Sequence, residues 1–197
     1  MMKRIVCLMI GFTMVLTLTL PHIAGAAEKE VLGVGYPTEK IVQGKTLQLN
    51  GVGYRKAFVF VNVYTVGLYL ENPSNDPREI IESEQMKQMV TQYLTTRATA
   101  EKLQSGFIEI MEKSNPPEMV ERQRENIKRY ASWLDKDMKP GLTSVSTYVP
   151  GRGLTLVYQG ETKGTIQDKE FARMYYRSNV GPKAENSVRN GLLGLGR

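Results

Sequence analysis

The chain holds 197 residues, with 26 Lys or Arg against 20 Asp or Glu, a formal charge of +6, one cysteine and one histidine. The basic excess is mild and no basic block interleaves with aromatic residues, so no nucleic-acid surface is expected. A lone cysteine excludes an internal disulfide, and the scarcity of cysteine and histidine narrows the catalytic and metal chemistry available.

Taken in order, Lys3 and Arg4 precede an apolar run from Ile5 to Leu20, and Ala24-Gly25-Ala26 follows as a small-residue cleavage pattern. Residues 1–26 therefore read as a cleaved signal peptide, and residues 27–197 as one exported domain, periplasmic or secreted. The apolar run is about 16 residues, short of the roughly 20 that a spanning helix needs, so no transmembrane segment is expected after cleavage. Cys7 and His22 leave with the signal. The remaining chain then has no thiolate, no imidazole and no Cys/His metal site, and its charge falls to +4 with the loss of Lys3 and Arg4.

Ala27 to Glu30 is a short polar lead. Lys40 to Val42 and Thr46 to Leu49 read as two edge strands around the turn Gln43-Gly44-Lys45. From Phe58 to Glu71 an apolar, β-branched and aromatic run predicts a central strand with both faces covered. Within it, parity places Asn62 and Tyr64 on one face. The glycines of Asn50-Gly51-Val52-Gly53 allow a bulge upstream, so the alternation does not fix the face of Arg55.

Asn72 to Pro77 breaks the chain, a short helical piece covers Arg78 to Ser83, and Lys87 to Thr95 reads as another strand. Thr99 is placed to cap an amphipathic helix carrying Leu103, Phe107, Ile110 and Met111. Asn115-Pro116-Pro117 ends it and starts a second, striped with Val120, Ile127, Tyr130, Ala131 and Leu134. Thr143 to Val149, Leu154 to Tyr158 and Gly164 to Ile166 form an antiparallel meander. Asp168 caps a third helix, and a last short one spans Glu185 to Leu192. Strands, helices, strands, helices in blocks argue for an α+β fold with an antiparallel sheet. The glycines at 32 to 36 and 151 to 153 fit neither phosphate-loop pattern.

Gly51-Val52-Gly53-Tyr54-Arg55, Val63-Tyr64-Thr65-Val66-Gly67-Leu68-Tyr69-Leu70, Thr99-Ala100-Glu101-Lys102, the turn Tyr148-Val149-Pro150-Gly151-Arg152-Gly153 and Gly164-Thr165-Ile166 together resemble the chalcone isomerase-like family, in particular its exported bacterial branch. The resemblance spans roughly Val42 to Gly194 and implies an open-faced β-sandwich, a large antiparallel sheet backed by helices. Enzymes of that family close a chalcone to a flavanone without a cofactor, so none is expected here. Their arginine matches Arg55, their threonine falls on Tyr64, their tyrosine on Thr99 and their asparagine on Gly106; a further polar position matches Ser178. One of four catalytic side chains is kept, and Gly106 supplies no side chain at all, so no catalytic residue is assigned. The family's fatty-acid-binding branch pairs an arginine with a tyrosine at the places of Arg55 and Tyr64. A guanidinium offers a planar fork to a carboxylate and a phenol adds one directed donor.

The expected ligand-binding residues are thus Arg55, Tyr64, Asn62, Thr99 and Ser178, and the expected partner is a small amphipathic molecule or fatty acid. The plainer alternatives are an Arg55 bonded to backbone at the glycine-rich bend, a Tyr64 and Asn62 satisfied within the core, and a Thr99 that only caps its helix. Two other functions compete with ligand binding. One is a cofactor-free isomerase acting on a phenolic or enone substrate, and the other is an envelope interaction module whose interior is filled by side chains.

Overall fold

A computed structural model describes residues 27–57 and 60–195. The expected signal peptide lies outside the described residues. Among those described, no helix is long and apolar enough to cross a membrane.

Among the described residues, two sheets and five helices make up the fold. Strands β1 (Glu28–Val31) and β2 (Val34–Pro37) form a small hairpin. Strands β3 (Glu39–Val42), β4 (Lys45–Ala57), β5 (Val61–Leu70), β6 (Lys87–Tyr93), β7 (Thr143–Val149), β8 (Gly153–Tyr158) and β9 (Glu161–Ile166) form one antiparallel sheet in sequence order. The helices are α1 (Pro77–Glu82), α2 (Ala100–Ser114), α3 (Pro117–Ser132), α4 (Lys169–Val180) and α5 (Asn186–Leu192). This is the expected α+β, open-faced arrangement of an antiparallel sheet backed by helices.

Local chemistry accounts for the boundaries. The two-residue turns Leu32-Gly33, Gln43-Gly44 and Gln159-Gly160 all have both residues at positive φ, with glycine second, as the right-handed strand twist requires. Thr99 accepts from the Lys102 N–H and Asp168 from the Phe171 N–H, each capping its helix. Buried Lys87 serves the other end of α1, where its Nζ donates to the carbonyls of Ile80 at 2.7 Å and Ser83 at 3.0 Å.

The helices cover one face of the large sheet, and the small hairpin covers part of the other. On one side Val66, Leu68, Leu70, Leu154 and Leu156 pack against Phe171, Met174 and Tyr176 of α4. On the other, the β1–β2 hairpin brings Val34 and Tyr36 onto Leu47, Val52 and Tyr69, and the Tyr36 and Thr65 hydroxyls are 2.9 Å apart. Each fully buried aliphatic or aromatic side chain contributes about 1.5–3 kcal/mol by leaving water. The expected polar lead at Ala27 to Glu30 is in fact mostly the first strand of this covering hairpin, because Val34 and Tyr36 need a partner strand to hold them against the sheet.

The stretch around Arg55 also differs from expectation. It is a long hairpin rather than a strand beginning at Phe58: β4 runs to Ala57, β5 starts at Val61, and Phe60 sits in the turn with 92% of its surface exposed. Phe58 and Val59 lie outside the described residues. An apolar run that contains its own turn has no Gly, Pro or Asn to mark it, so composition alone joined the two arms.

Candidate functional site

Two register shifts decide what the β4–β5 hairpin presents. The first, between Leu49 and Gly51, leaves Asn50 without a cross-strand partner. Its side chain instead donates to the Leu192 carbonyl at 2.7 Å and accepts from the Ser74 N–H at 2.8 Å, tying the bulge to the end of α5. Beyond it Gly51, Gly53 and Arg55 pair with Leu68, Val66 and Tyr64, so all six share the helix-facing side. Helix α5 lies directly on the two glycines. A Cβ at Gly51 would collide with the Gly191 carbonyl, and one at Gly53 would stand 2.5 Å from that of Val188.

Arg55 is the next residue on that side, and there a cleft opens between β5, α2 and α4. It has an outer lobe of about 400 Å³ and an inner lobe of about 150 Å³. Arg55, Tyr64, Gly106, Ile110, Ser178 and Asn179 border both, so they stand where the lobes join. Lys113, Lys183, Glu109 and Glu185 give the outer lobe mixed charge. Inside, the lining turns aromatic, with Tyr93, Phe107, Tyr130 and Tyr175. Phe107 stacks on Tyr130 at 4.7 Å between centroids. Ser146 Oγ accepts from the Tyr175 hydroxyl at 2.8 Å and lies 2.6 Å from that of Tyr130.

Three strands carry a polar row into this cleft. Arg55 of β4 pairs with Tyr64 of β5, which pairs with Tyr93 of β6, and the two tyrosine rings meet edge to face at 5.8 Å. Tyr64 is partly exposed, to the cleft rather than to bulk water. Burial among protein atoms pushes its phenol up to about 12, while the Arg55 charge pulls it part of the way back. Burial likewise raises Tyr93, with Ser144 easing the shift. These phenols are therefore neutral hydrogen-bond donors at physiological pH. Arg55 Nε lies 3.2 Å from Glu185 Oε2, both side chains being about half exposed.

The expected site residues separate into two groups. Arg55, Tyr64 and Ser178 come together at the junction of the lobes, although the Ser178 hydroxyl is turned to the Met174 carbonyl at 2.9 Å and also receives the Asn115 amide at 3.2 Å. Thr99 and Asn62 border neither lobe. Thr99 Oγ1 takes the Lys102 N–H at 3.4 Å. Asn62 pairs with Lys56 across the second register shift, which interrupts the alternation that parity had extended from Tyr64. Gly106 faces the cleft with no atom within 4 Å of where its Cβ would be.

Sequence reasoning missed Glu185, Lys113 and Asn179 and took Phe107 and Tyr130 for core residues alone. Glu185 carries a signal in retrospect, because it directly precedes the helix that two glycines of β4 accommodate. The others become visible only once α2 and α4 are set beside the sheet.

In chemical terms the cleft offers a guanidinium and a protonated phenol beside an aromatic recess. The arrangement can bind and orient a carboxylate with an apolar body. Among the four positions matched to the chalcone-closing enzymes, one carries no side chain at Gly106 and another lies outside the cleft at Thr99.

The chalcone isomerase-like family model matches residues 28–194. A crystal structure of a fatty-acid binding protein from Arabidopsis thaliana superimposes with a TM-score of 0.69 at 15% sequence identity, covering 85% of this chain and 96% of that one. At that identity the likeness concerns the fold. No curated protein matches the chain in sequence. With the family's pattern running through almost every described residue, from the first strand to the end of α5, the chain belongs to the chalcone isomerase-like family.

Proposed function

We propose that this protein is a non-catalytic binding module for a small amphipathic carboxylate of fatty-acid type, exported after removal of residues 1–26 to act in the periplasm or outside the cell. The carboxylate is held by Arg55 and Tyr64, and the tail enters the aromatic recess between the sheet and α2 and α4. One observation carries this reading, the direct cross-strand pairing of Arg55 with Tyr64 at the junction of an open polar lobe and an inner aromatic one. The fold likeness to a fatty-acid binding protein supports it, and so does the absence of a side chain at Gly106, where the isomerases carry a catalytic asparagine. An open cleft also favours binding over an interaction module with a filled interior.

Calorimetric titration with dodecanoate tests the assignment. Saturable binding is expected, with loss of about 10- to 100-fold in affinity in Arg55→Ala, since hydrogen bonds to charged groups are worth about 1.5–3 kcal/mol. Dodecanoate binding that is indifferent to Arg55→Ala would remove the carboxylate assignment. Turnover of a phenolic enone that depends on Tyr64 would instead establish the isomerase.

A further inference from the structure

The carboxylate reading above leaves Arg55 with an unaddressed neighbour. Glu185 already stands beside it, with Oε2 3.2 Å from the guanidinium Nε, and its other oxygen accepts from the Ser187 hydroxyl at 3.0 Å. Glu185 does not reach the cleft by chance of rotamer. It is the residue immediately before α5, and the seating of that helix on Gly51 and Gly53 fixes where its backbone begins. Lys113 and Lys183 border the same lobe and belong to none of the ion pairs formed among the described residues. Of these three cations, Arg55, the one at the mouth of the aromatic recess, is therefore the one that already has a carboxylate.

A ligand carboxylate arriving at Arg55 would place two negative groups around one guanidinium, and like charges at that distance repel. A half-exposed ion pair is weak, so the resident group can yield at small cost. A neutral amphiphile bonded through the Tyr64 phenol meets no such competition. We infer that Glu185 is a specificity-determining residue, the resident counter-carboxylate of Arg55 that an incoming acid must displace, and that it narrows the preference of the cleft for acids over neutral amphiphiles. Ser187 holds Glu185 in that position.

The test compares dodecanoate with dodecan-1-ol by calorimetry on the wild-type protein, Glu185→Gln and Ser187→Ala, at low and high salt. Glutamine keeps the size and hydrogen-bonding reach of Glu185 but removes its charge. Glu185→Gln is expected to tighten dodecanoate about three- to fivefold, the upper part of the range of an exposed pair, to leave dodecan-1-ol unchanged, and to lose its advantage at high salt. Ser187→Ala should move affinity in the same direction by less. Dodecanoate affinity that is unchanged or weaker in Glu185→Gln would overturn the inference while leaving the cleft's carboxylate reading intact, as would equal tightening of both ligands. Binding of dodecanoate by Glu185→Gln alone would support both. If neither ligand binds either protein, the cleft reading fails and this inference falls with it.

Discussion

Along one face of the β4–β5 ladder, two neighbouring regions have opposite designs. At Gly51 and Gly53 the backbone of α5 rests on the backbone of β4 with no side chain between them. At Arg55, two residues on, the helices stand away from the sheet and the cleft opens. The strand is continuous and the pairing register is unbroken from Gly51 through Arg55, so the difference lies in side-chain volume rather than in strand pairing. Absent side chains draw one helix down to seal the sheet, while a long guanidinium and a phenol border the space where no helix sits. The seal also determines the opening, because the descent of α5 sets the position of Glu185 beside Arg55.

The largest test breaks the sealed end. Gly53→Val puts a branched side chain where even a Cβ stands 2.5 Å from the Val188 carbonyl, and backbone on both sides cannot give way as a side chain would. Overpacking costs about 1–3 kcal/mol where neighbours can shift and more where they cannot, so a loss of about 3 kcal/mol is expected in urea denaturation. Because α5 must lift, the Arg55–Glu185 contact should be lost as well. A variant as stable as the wild type would mean that α5 is not seated by these glycines.

How far this was legible in the sequence follows the same division. Blocks of strand and helix, the caps at Thr99 and Asp168 and the helix that follows Glu185 depend on neighbours within a few residues, and each was readable. The hairpin turn at Phe60 was not, because nothing in Ala-Phe-Val-Phe-Val marks a reversal. Asn62 shows the corresponding limit for the site: parity joined it to Tyr64, and a single register shift gave it Lys56 as partner instead. Gly51 and Gly53 were seen as a bend, and the bulge did occur next to them. Their second use as a seat for α5 depends on a helix more than 130 residues later in the chain. Arg55 and Tyr64 were found through the family pattern, whereas Glu185, Lys113 and the aromatic recess required the packing of distant elements.

Raising pH has a smaller effect per group and tests the open cleft against the hairpin-covered face of the sheet. Tyr69, on the opposite face under the β1–β2 hairpin, and Tyr64, in the cleft, are both pushed up to about 12 by burial. A phenol whose pKa is higher folded than unfolded keeps its full stabilising effect below the unfolded value near 10 and loses it as pH rises through the folded value. Stability should therefore not change from these groups up to about pH 10 and fall by on the order of 2 kcal/mol for each phenol towards pH 12, measured by denaturant titration. Dodecanoate adds the discriminating readout. Its negative charge near Arg55 weakens the pull that lowers Tyr64, so one tyrosine titrating later in absorbance is expected with ligand and Tyr69 is unaffected. If ligand shifts no tyrosine, the carboxylate does not sit beside Tyr64.

The smallest effect has the opposite sign and comes from the open end. Gly106 lies within α2, where glycine costs about 1 kcal/mol relative to alanine through backbone entropy, and no atom approaches within 4 Å of its missing Cβ. Gly106→Ala should thus stabilise the protein by about 0.5–1 kcal/mol, where a side chain at Gly53 destabilises it. The reason a helix would retain so poor a former becomes testable with a larger residue. Gly106→Phe would fill the junction that Gly106 shares with Arg55 and Tyr64, so dodecanoate binding should be lost while the melting temperature holds or rises. Retained binding in that variant would place the ligand elsewhere in the molecule, because no tail could pass from the outer lobe to the aromatic recess with that junction closed.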